Sequence, residues 1–182
     1  TCHKYGLYLF LDGARLGYGL AAPDNDLTLP EIAALCDVFY IGGTKVGALF
    51  GEAVVIKNPE LAQDFRYLIK QNGGMLAKGR LLGLQFDALF TDGLYQEISA
   101  HAIAMAEKLR EAFTAKGYNY LAPNRTNQIF VIVPDAHLAK ISEQFEYSYD
   151  QRIDATHSCV RFCTGWATRE ENVDALIRCV EK

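Results

Sequence analysis

Short apolar runs bounded by polar or turn-forming residues recur along the chain and predict strands. Such runs are typical of buried strands, whereas apolar residues at i, i+3, i+4 and i+7 indicate one face of a helix. Residues 48–56 follow the preceding run so closely that they are predicted to pair with it in antiparallel fashion. Five segments are predicted strands: 7–11, 38–42, 48–56, 128–133 and 158–163.

Helix-start signals precede most of the segments with helical periodicity. A residue that accepts a backbone hydrogen bond stands at the first position, and Glu or Pro follows at the spacing of a capping box or an N1 proline. Residues 75–116 are predicted to be largely helical, with a break at Thr91-Asp92-Gly93 and a left-handed cap at Gly117. The signals are Thr28 with Glu31, Asn58 with Pro59, Asp135, and Thr168 with Glu171.

The order of these elements predicts an α/β fold. Strands and helices alternate through about residue 70, which is typical of a mostly parallel sheet. A second α/β unit follows Gly117, and part of the long helix is assigned to it. We therefore predict two domains, residues 1–90 and residues 91–182.

Composition excludes several classes of protein. Half of the 182 residues are apolar and 22% are charged, as in globular proteins. The net charge of −4 gives no reason to expect nucleic acid or a membrane as a partner. Five cysteines without a C-x-x-C pair indicate reduced thiols in a cytoplasmic protein. An apolar strand only a few residues from Thr1 predicts that the chain is part of a longer protein, with a processed small protein as the alternative.

Two strand ends carry reactive side chains. Asp12-Gly13-Ala14-Arg15 follows the first apolar run, and Gly42-Gly43-Thr44-Lys45 follows the second. Open parallel sheets bind ligands at such carboxyl ends. A lysine that can form a Schiff base and an aspartate that can hold a pyridinium nitrogen are the residues that pyridoxal phosphate chemistry needs most. The ordinary alternatives are a turn-forming aspartate, an arginine in a surface ion pair and an exposed turn lysine.

Arg161 lies in the middle of an apolar predicted strand. A charge in such a strand needs a partner, and the candidates are a substrate carboxylate and a structural Asp or Glu. His157, Cys159 and Cys163 alternate onto the same face as Arg161. Their spacing is not that of tetrahedral zinc sites, so no metal site is predicted.

Together with the segment 160–166, Val-Arg-Phe-Cys-Thr-Gly-Trp, these motifs resemble the C-terminal half of a fold-type-I pyridoxal-phosphate enzyme of the threonine aldolase or β-eliminating lyase family. The resemblance implies that Lys45 carries the cofactor, that Thr44 contacts it and that Asp12 holds its pyridine nitrogen. It implies that Arg15 and Arg161 bind the substrate carboxylate. The expected fold is part of the large domain, with a mostly parallel sheet, plus a small C-terminal α/β domain.

The function implied by the resemblance is cleavage of a β-hydroxy amino acid, such as threonine, to glycine and an aldehyde. β-Elimination and aminotransfer use the same residues and remain alternatives, as does a structural fragment that binds no cofactor. A homodimer or homotetramer acting on a small amino acid is expected by analogy. Leu76 follows Gly73-Gly74-Met75 where threonine aldolases have an arginine, which departs from the family pattern.

Overall fold

The computed structural model describes residues 1–181, which divide into two compact units. Unit 1 contains residues 1–20 and 25–97, and unit 2 contains residues 21–24 and the chain from Ile98 onward. Each unit combines helices with one sheet, so the predicted α/β class is confirmed.

Unit 1 is built on a three-stranded sheet in the order β1-β2-β3. The first pair of strands is parallel and the second pair is antiparallel, as predicted for residues 48–56. The strands are β1 (Phe10–Leu11), β2 (Val38–Gly42) and β3 (Glu52–Ile56), and the helices are α1 (Leu16–Leu20), α2 (Leu29–Leu35), α3 (Pro59–Ala62), α4 (Phe65–Gln71) and α5 (Arg80–Phe90).

The two faces of this sheet differ in burial. Phe39 and Ile41 of β2 are buried on one face. On the other face Phe10 is 60% exposed and Val54 is 49% exposed. The prediction of a buried strand at residues 7–11 was therefore wrong in extent and burial: β1 is a two-residue strand with β2 as its one neighbour.

Two predicted helix starts in unit 1 are formed. Glu31 accepts hydrogen bonds from the backbone N–H and the hydroxyl of Thr28, at 2.7 and 2.6 Å, and so stabilises the start of α2. Asn58 accepts from the N–H of Glu60 at the start of α3, as predicted. This start signal predicts one helix through Ile69, but α3 ends at Ala62, because Asp64 adopts φ 57° and separates α3 from α4.

Unit 2 contains a four-stranded sheet in the order β4-β5-β7-β6, and all its pairs are antiparallel. The expectation of a mostly parallel sheet thus holds only for β1 and β2. Helix α6 (Leu94–Ala115) leads into this unit after a short 3-10 turn at Thr91–Gly93, which confirms the predicted break. The remaining elements are β4 (Asn119–Tyr120), β5 (Gln128–Pro134), α7 (Asp135–Ile141), β6 (Ser148–Arg152), β7 (His157–Cys163) and α8 (Glu170–Glu181).

The core of unit 2 lies between its helices and one face of its sheet. Apolar residues at helical spacing from Ile98 to Phe113 predict one buried face, and Leu109 and Phe113 of α6 are buried there. Gly117 follows the helix with φ 81°, as predicted. Strand β6 was not predicted, because all five of its side chains are exposed and it has no apolar alternation. The core also includes Ile129, Val131, Val133, Leu138, Ile141, Val160, Phe162, Val173, Leu176 and Val180.

Two predicted helix caps in unit 2 are not formed. Asp135 makes no cap hydrogen bond; its carboxylate accepts instead from Ser158 and Arg152. The hydroxyl of Thr168 accepts from the N–H of Gly165, and α8 begins only at Glu170. Distant side chains thus compete for the carboxylate of Asp135, whereas a local turn with Gly165 occupies the hydroxyl of Thr168. No helix formed by residues 1–181 combines the length and the apolar character that a bilayer crossing requires.

Candidate functional site

Asp12 follows β1 with its carboxylate exposed at the sheet end. Its Oδ1 accepts hydrogen bonds from the hydroxyl of Tyr40 and, at 3.0 Å, from the N–H of Ala14. These bonds, and then the positive charges of Lys45 and Arg15, hold the pKa of Asp12 below its usual value. The same hydrogen bond raises the pKa of Tyr40 to about 12, so Tyr40 stays a donor at neutral pH.

The segment after β1 lies in direct main-chain contact with the end of β2. The N–H of Gly42 donates to the carbonyl of Gly13 at 2.8 Å. A Cβ on Gly13 would lie 1.7 Å from the carbonyl oxygen of Tyr40, and a Cβ on Gly42 would lie 2.3 Å from that of Ala14. Only glycine therefore fits at both positions, and the two segments that carry Asp12 and the lysine turn are held against each other.

The turn that presents Lys45 is held by its backbone and by Thr44. Glu52 of β3 accepts from the N–H of Gly43 at 2.8 Å and from the hydroxyl of Thr44 at 3.4 Å. The hydroxyl of Tyr18 donates to the carbonyl of Lys45. The side chain of Lys45 is exposed and its amine forms no hydrogen bond or ion pair within residues 1–181. A fixed backbone thus carries an amine that is free to react.

Tyr95 joins the end of β2 to the start of α1 through its hydroxyl. Its side chain is 2% exposed, and its hydroxyl donates to the carbonyl of Gly42 at 3.0 Å and accepts from the N–H of Gly17 at 3.1 Å. Burial raises the pKa of Tyr95 to about 12. One buried hydroxyl therefore ties the end of β2 to the helix that follows Arg15.

Arg161 lies in unit 2, on β7, beside an open cleft of about 300 Å³. Its guanidinium donates to the side-chain oxygens of Gln128 at 3.2 Å and Ser148 at 3.5 Å, and lies 6.0 Å from the centre of the Phe130 ring. The buried Nε has no hydrogen-bond partner, and no carboxylate pairs with Arg161 in the described part of the chain. The structural Asp or Glu considered as an alternative partner is thus absent from residues 1–181.

The structure brings four of the five predicted site residues together in unit 1: Asp12, Arg15, Thr44 and Lys45. Arg15 is exposed and forms no ion pair within the described residues. Arg161 belongs to unit 2 and is described by itself. No group of three or more His, Cys, Asp and Glu side chains within residues 1–181 is arranged to hold a metal ion.

Sequence reasoning missed three side chains of unit 1, Tyr40, Glu52 and Tyr95. Tyr40 could have been found, because it lies two residues before Gly42 and so faces the same side of the sheet as Asp12 would on the neighbouring strand. Glu52 and Tyr95 carry no such signal. Their contacts depend on β3 pairing with β2 and on where α6 packs within unit 1.

These residues fit pyridoxal phosphate. The carboxylate of Asp12 has one oxygen, Oδ2, that accepts no hydrogen bond within the described residues, so it can accept one from a pyridinium nitrogen. Lys45 offers an exposed amine, and Arg15 and Arg161 offer guanidinium groups without carboxylate partners. Unit 1 therefore contains both residue types, a carboxylate and an amine, that pyridoxal phosphate chemistry needs most.

Comparison with family models gave no match. The chain is 31% identical over 180 residues to a low specificity L-threonine aldolase of Pseudomonas sp., an alignment that covers 97% of the chain and 50% of the relative. It matches the solved structure of a threonine aldolase of Leishmania major with a TM-score of 0.96 and 42% identity, over 99% of the chain and 53% of that structure. A serine palmitoyltransferase of Sphingomonas wittichii shares the fold, with a TM-score of 0.67 and 17% identity over 98% of the chain and 47% of that structure.

The chain spans about half the length of the curated relatives it matches. The suspected resemblance is thereby confirmed for the part of the family that the chain covers. By sequence and by architecture, this chain matches about half of a fold-type-I pyridoxal-phosphate enzyme of the threonine aldolase type.

Proposed function

We propose that the protein containing this chain is a pyridoxal-phosphate-dependent carbon–carbon lyase. It cleaves a β-hydroxy amino acid of the threonine type to glycine and an aldehyde. The observation that carries the proposal is that Asp12 and Lys45, thirty-three positions apart, are held on two segments in main-chain contact. Their charges are close enough for Lys45 to lower the pKa of Asp12.

Each residue has a defined task in this proposal. The amine of Lys45 would hold the cofactor at its aldehyde carbon. The carboxylate of Asp12 would keep the pyridine nitrogen protonated, and Thr44 would contact the cofactor beside the lysine. When bound, the cofactor supplies an electron sink for the pair released as a bond at the substrate Cα breaks.

Arg15 and Arg161 are proposed to bind the substrate carboxylate. A guanidinium can make two parallel hydrogen bonds to a carboxylate, which fixes the orientation of the amino acid as a lysine could not. Arg161 supports this role because it has a buried Nε without a partner beside an open cleft. Its present partners, Gln128 and Ser148, are neutral and leave its charge uncompensated.

The organisation of the whole protein is part of the same proposal. We propose that residues 1–90 belong to the large cofactor-binding domain and residues 91–182 to a small domain. We propose a cytoplasmic homodimer or homotetramer; the odd number of cysteines without a C-x-x-C pair supports the compartment.

The decisive experiment maps the cofactor attachment. Borohydride reduction of the protein with bound cofactor, followed by peptide mapping, is expected to label Lys45. Lys45→Ala is expected to lose the label and the activity, whereas Lys57→Ala, which removes another exposed lysine of unit 1, is expected to keep both. Label on a different lysine refutes the assignment.

A substrate panel separates the reactions that share these residues. L-Threonine and L-allo-threonine are expected to give glycine and acetaldehyde. Release of pyruvate from L-cysteine favours β-elimination, and amination of 2-oxo acids favours aminotransfer.

The second candidate is that the isolated chain is a structural fragment that binds no cofactor. The exposed face of the unit 1 sheet, with Phe10 and Val54, favours it, because such a face promotes association in a chain tested alone. The isolated chain is expected to show no aldehyde release from threonine. Turnover close to that of the complete protein contradicts this reading.

A further inference from the structure

The hydrogen bonds to Asp12 are unevenly distributed over its two carboxylate oxygens. Both donors, the hydroxyl of Tyr40 and the N–H of Ala14, point to Oδ1. Oδ2 accepts none within residues 1–181. The Ala14 bond is local and belongs to the turn, whereas the Tyr40 bond comes from the neighbouring strand, twenty-eight positions away.

The backbone of Tyr40 is fixed within β2. Its half-buried side chain lies on the sheet face opposite the buried Phe39 and Ile41, and its ring centroid lies 6.0 Å from that of Phe10. The strand and this ring contact direct the hydroxyl to Asp12, which follows the neighbouring strand β1.

We propose that Tyr40 is a positioning residue for Asp12, occupying Oδ1 so that Oδ2 is the oxygen offered to the pyridine nitrogen, and moderating the basicity of the carboxylate. This inference rests on the proposed function, because it assigns a cofactor contact to Asp12. Tyr40 acts through Asp12 and touches neither cofactor nor substrate in this role.

The proposed chemical consequence concerns how readily the pyridine nitrogen of the cofactor keeps its proton. A carboxylate that already accepts a hydrogen bond is a weaker base, so it holds the proton of a pyridinium partner less tightly. The other charges that face Asp12 are those of Lys45 and Arg15, and Glu52 acts on Tyr40. All three are unchanged when only the hydroxyl of Tyr40 is removed.

The test compares wild type with Tyr40→Phe, which keeps the ring and its contact with Phe10. With ¹⁵N-labelled pyridoxal phosphate bound, solid-state NMR follows the pH at which the pyridine nitrogen loses its proton. Tyr40→Phe is expected to shift that pH upward. Replacement of Tyr40 by 3-fluorotyrosine, a more acidic and therefore stronger donor, is expected to shift it downward. A structural role alone would not produce shifts of opposite sign.

A second readout needs no cofactor. In the cofactor-free protein the ¹³Cγ signal of Asp12, assigned with Asp12→Asn, is expected to titrate at higher pH in Tyr40→Phe than in wild type. Tyr67→Phe is the matched control, because Tyr67 is 73% exposed and its hydroxyl has no partner within residues 1–181. Unchanged titration of Asp12 in Tyr40→Phe overturns the inference. Attachment of cofactor to a lysine other than Lys45 overturns the proposed function instead, so the two failures are distinguishable.

Discussion

Replacing Tyr95 with Phe removes one buried hydroxyl and so measures how much this hydroxyl contributes to the stability of the site. The hydroxyl donates to the carbonyl of Gly42 at 3.0 Å and accepts from the N–H of Gly17 at 3.1 Å. Tyr95→Phe leaves both backbone groups in a site that water does not reach. Each unsatisfied buried group costs about 1–3 kcal/mol, so leaving two of them is expected to lower the free energy of unfolding by about 2–6 kcal/mol.

The assay is urea unfolding of the cofactor-free protein, followed by circular dichroism, with cofactor affinity measured separately. Affinity is expected to fall as well, because the same hydroxyl holds the end of β2 just before the lysine turn. Tyr67→Phe removes an exposed hydroxyl and is expected to change stability by less than about 0.5 kcal/mol. If Tyr95→Phe is as stable as this control, the bridging role assigned to Tyr95 is wrong.

Three further predictions concern backbone fit and pH. Gly13→Ala places a Cβ 1.7 Å from the carbonyl oxygen of Tyr40 and is expected to lower the free energy of unfolding by at least about 3 kcal/mol. Gly83→Ala, at an exposed helical position with nothing within 4 Å, is expected to raise it by about 0.5–1 kcal/mol. Equal effects of the two variants in chemical denaturation contradict the close approach at Gly13. The pKa of Tyr95 is about 12 in the folded protein against 10 in the unfolded chain. Its contribution to the free energy of unfolding is therefore complete below pH 10 and is lost as pH rises to about 12. The alkaline fall in stability is expected to be smaller in Tyr95→Phe. The carboxylate of Asp154 forms hydrogen bonds with the N–H of Thr156 and the side chain of His157, which lower its pKa to about 2. Its contribution to the free energy of unfolding is therefore present above about pH 4 and is lost as pH falls to about 2. Asp154→Asn is expected to flatten this acid fall in stability, and an unchanged fall contradicts the role of these hydrogen bonds.

The sequence predicts well those elements whose apolar side chains are buried in the folded chain. β2 was predicted with its observed bounds, and α8 buries Val173, Leu176 and Val180, which lie at the i, i+3 and i+7 spacing of one helix face. The predicted length and burial of β1 were too large, because within the described residues nothing packs over most of the apolar side chains of residues 7–11, which remain exposed. Asp135 failed as a cap because Ser158, far along the chain, competes for its carboxylate.

The candidate site residues that the sequence could predict are those in short motifs at the strand ends. Asp12, Arg15, Thr44 and Lys45 stand at two strand ends, and the resemblance assigned their roles, which remain predictions. What the motifs could not show is how the segments are fixed. Tyr95 and Glu52 reach the two strand ends from other elements, and that information exists only once the chain is folded.

The contact between Gly13 and Gly42 sets the precision of the arrangement. Because peptide groups meet there without intervening side chains, the separation between the two segments is governed by the length of a single hydrogen bond, 2.8 Å, and by hard atomic radii. Side-chain contacts can relax by changing rotamer, but a main-chain contact has no such freedom. Thermal motion should therefore displace Asp12 and the lysine turn in concert, so that the backbones that carry the carboxylate and the amine keep a constant spacing while the surrounding surface fluctuates.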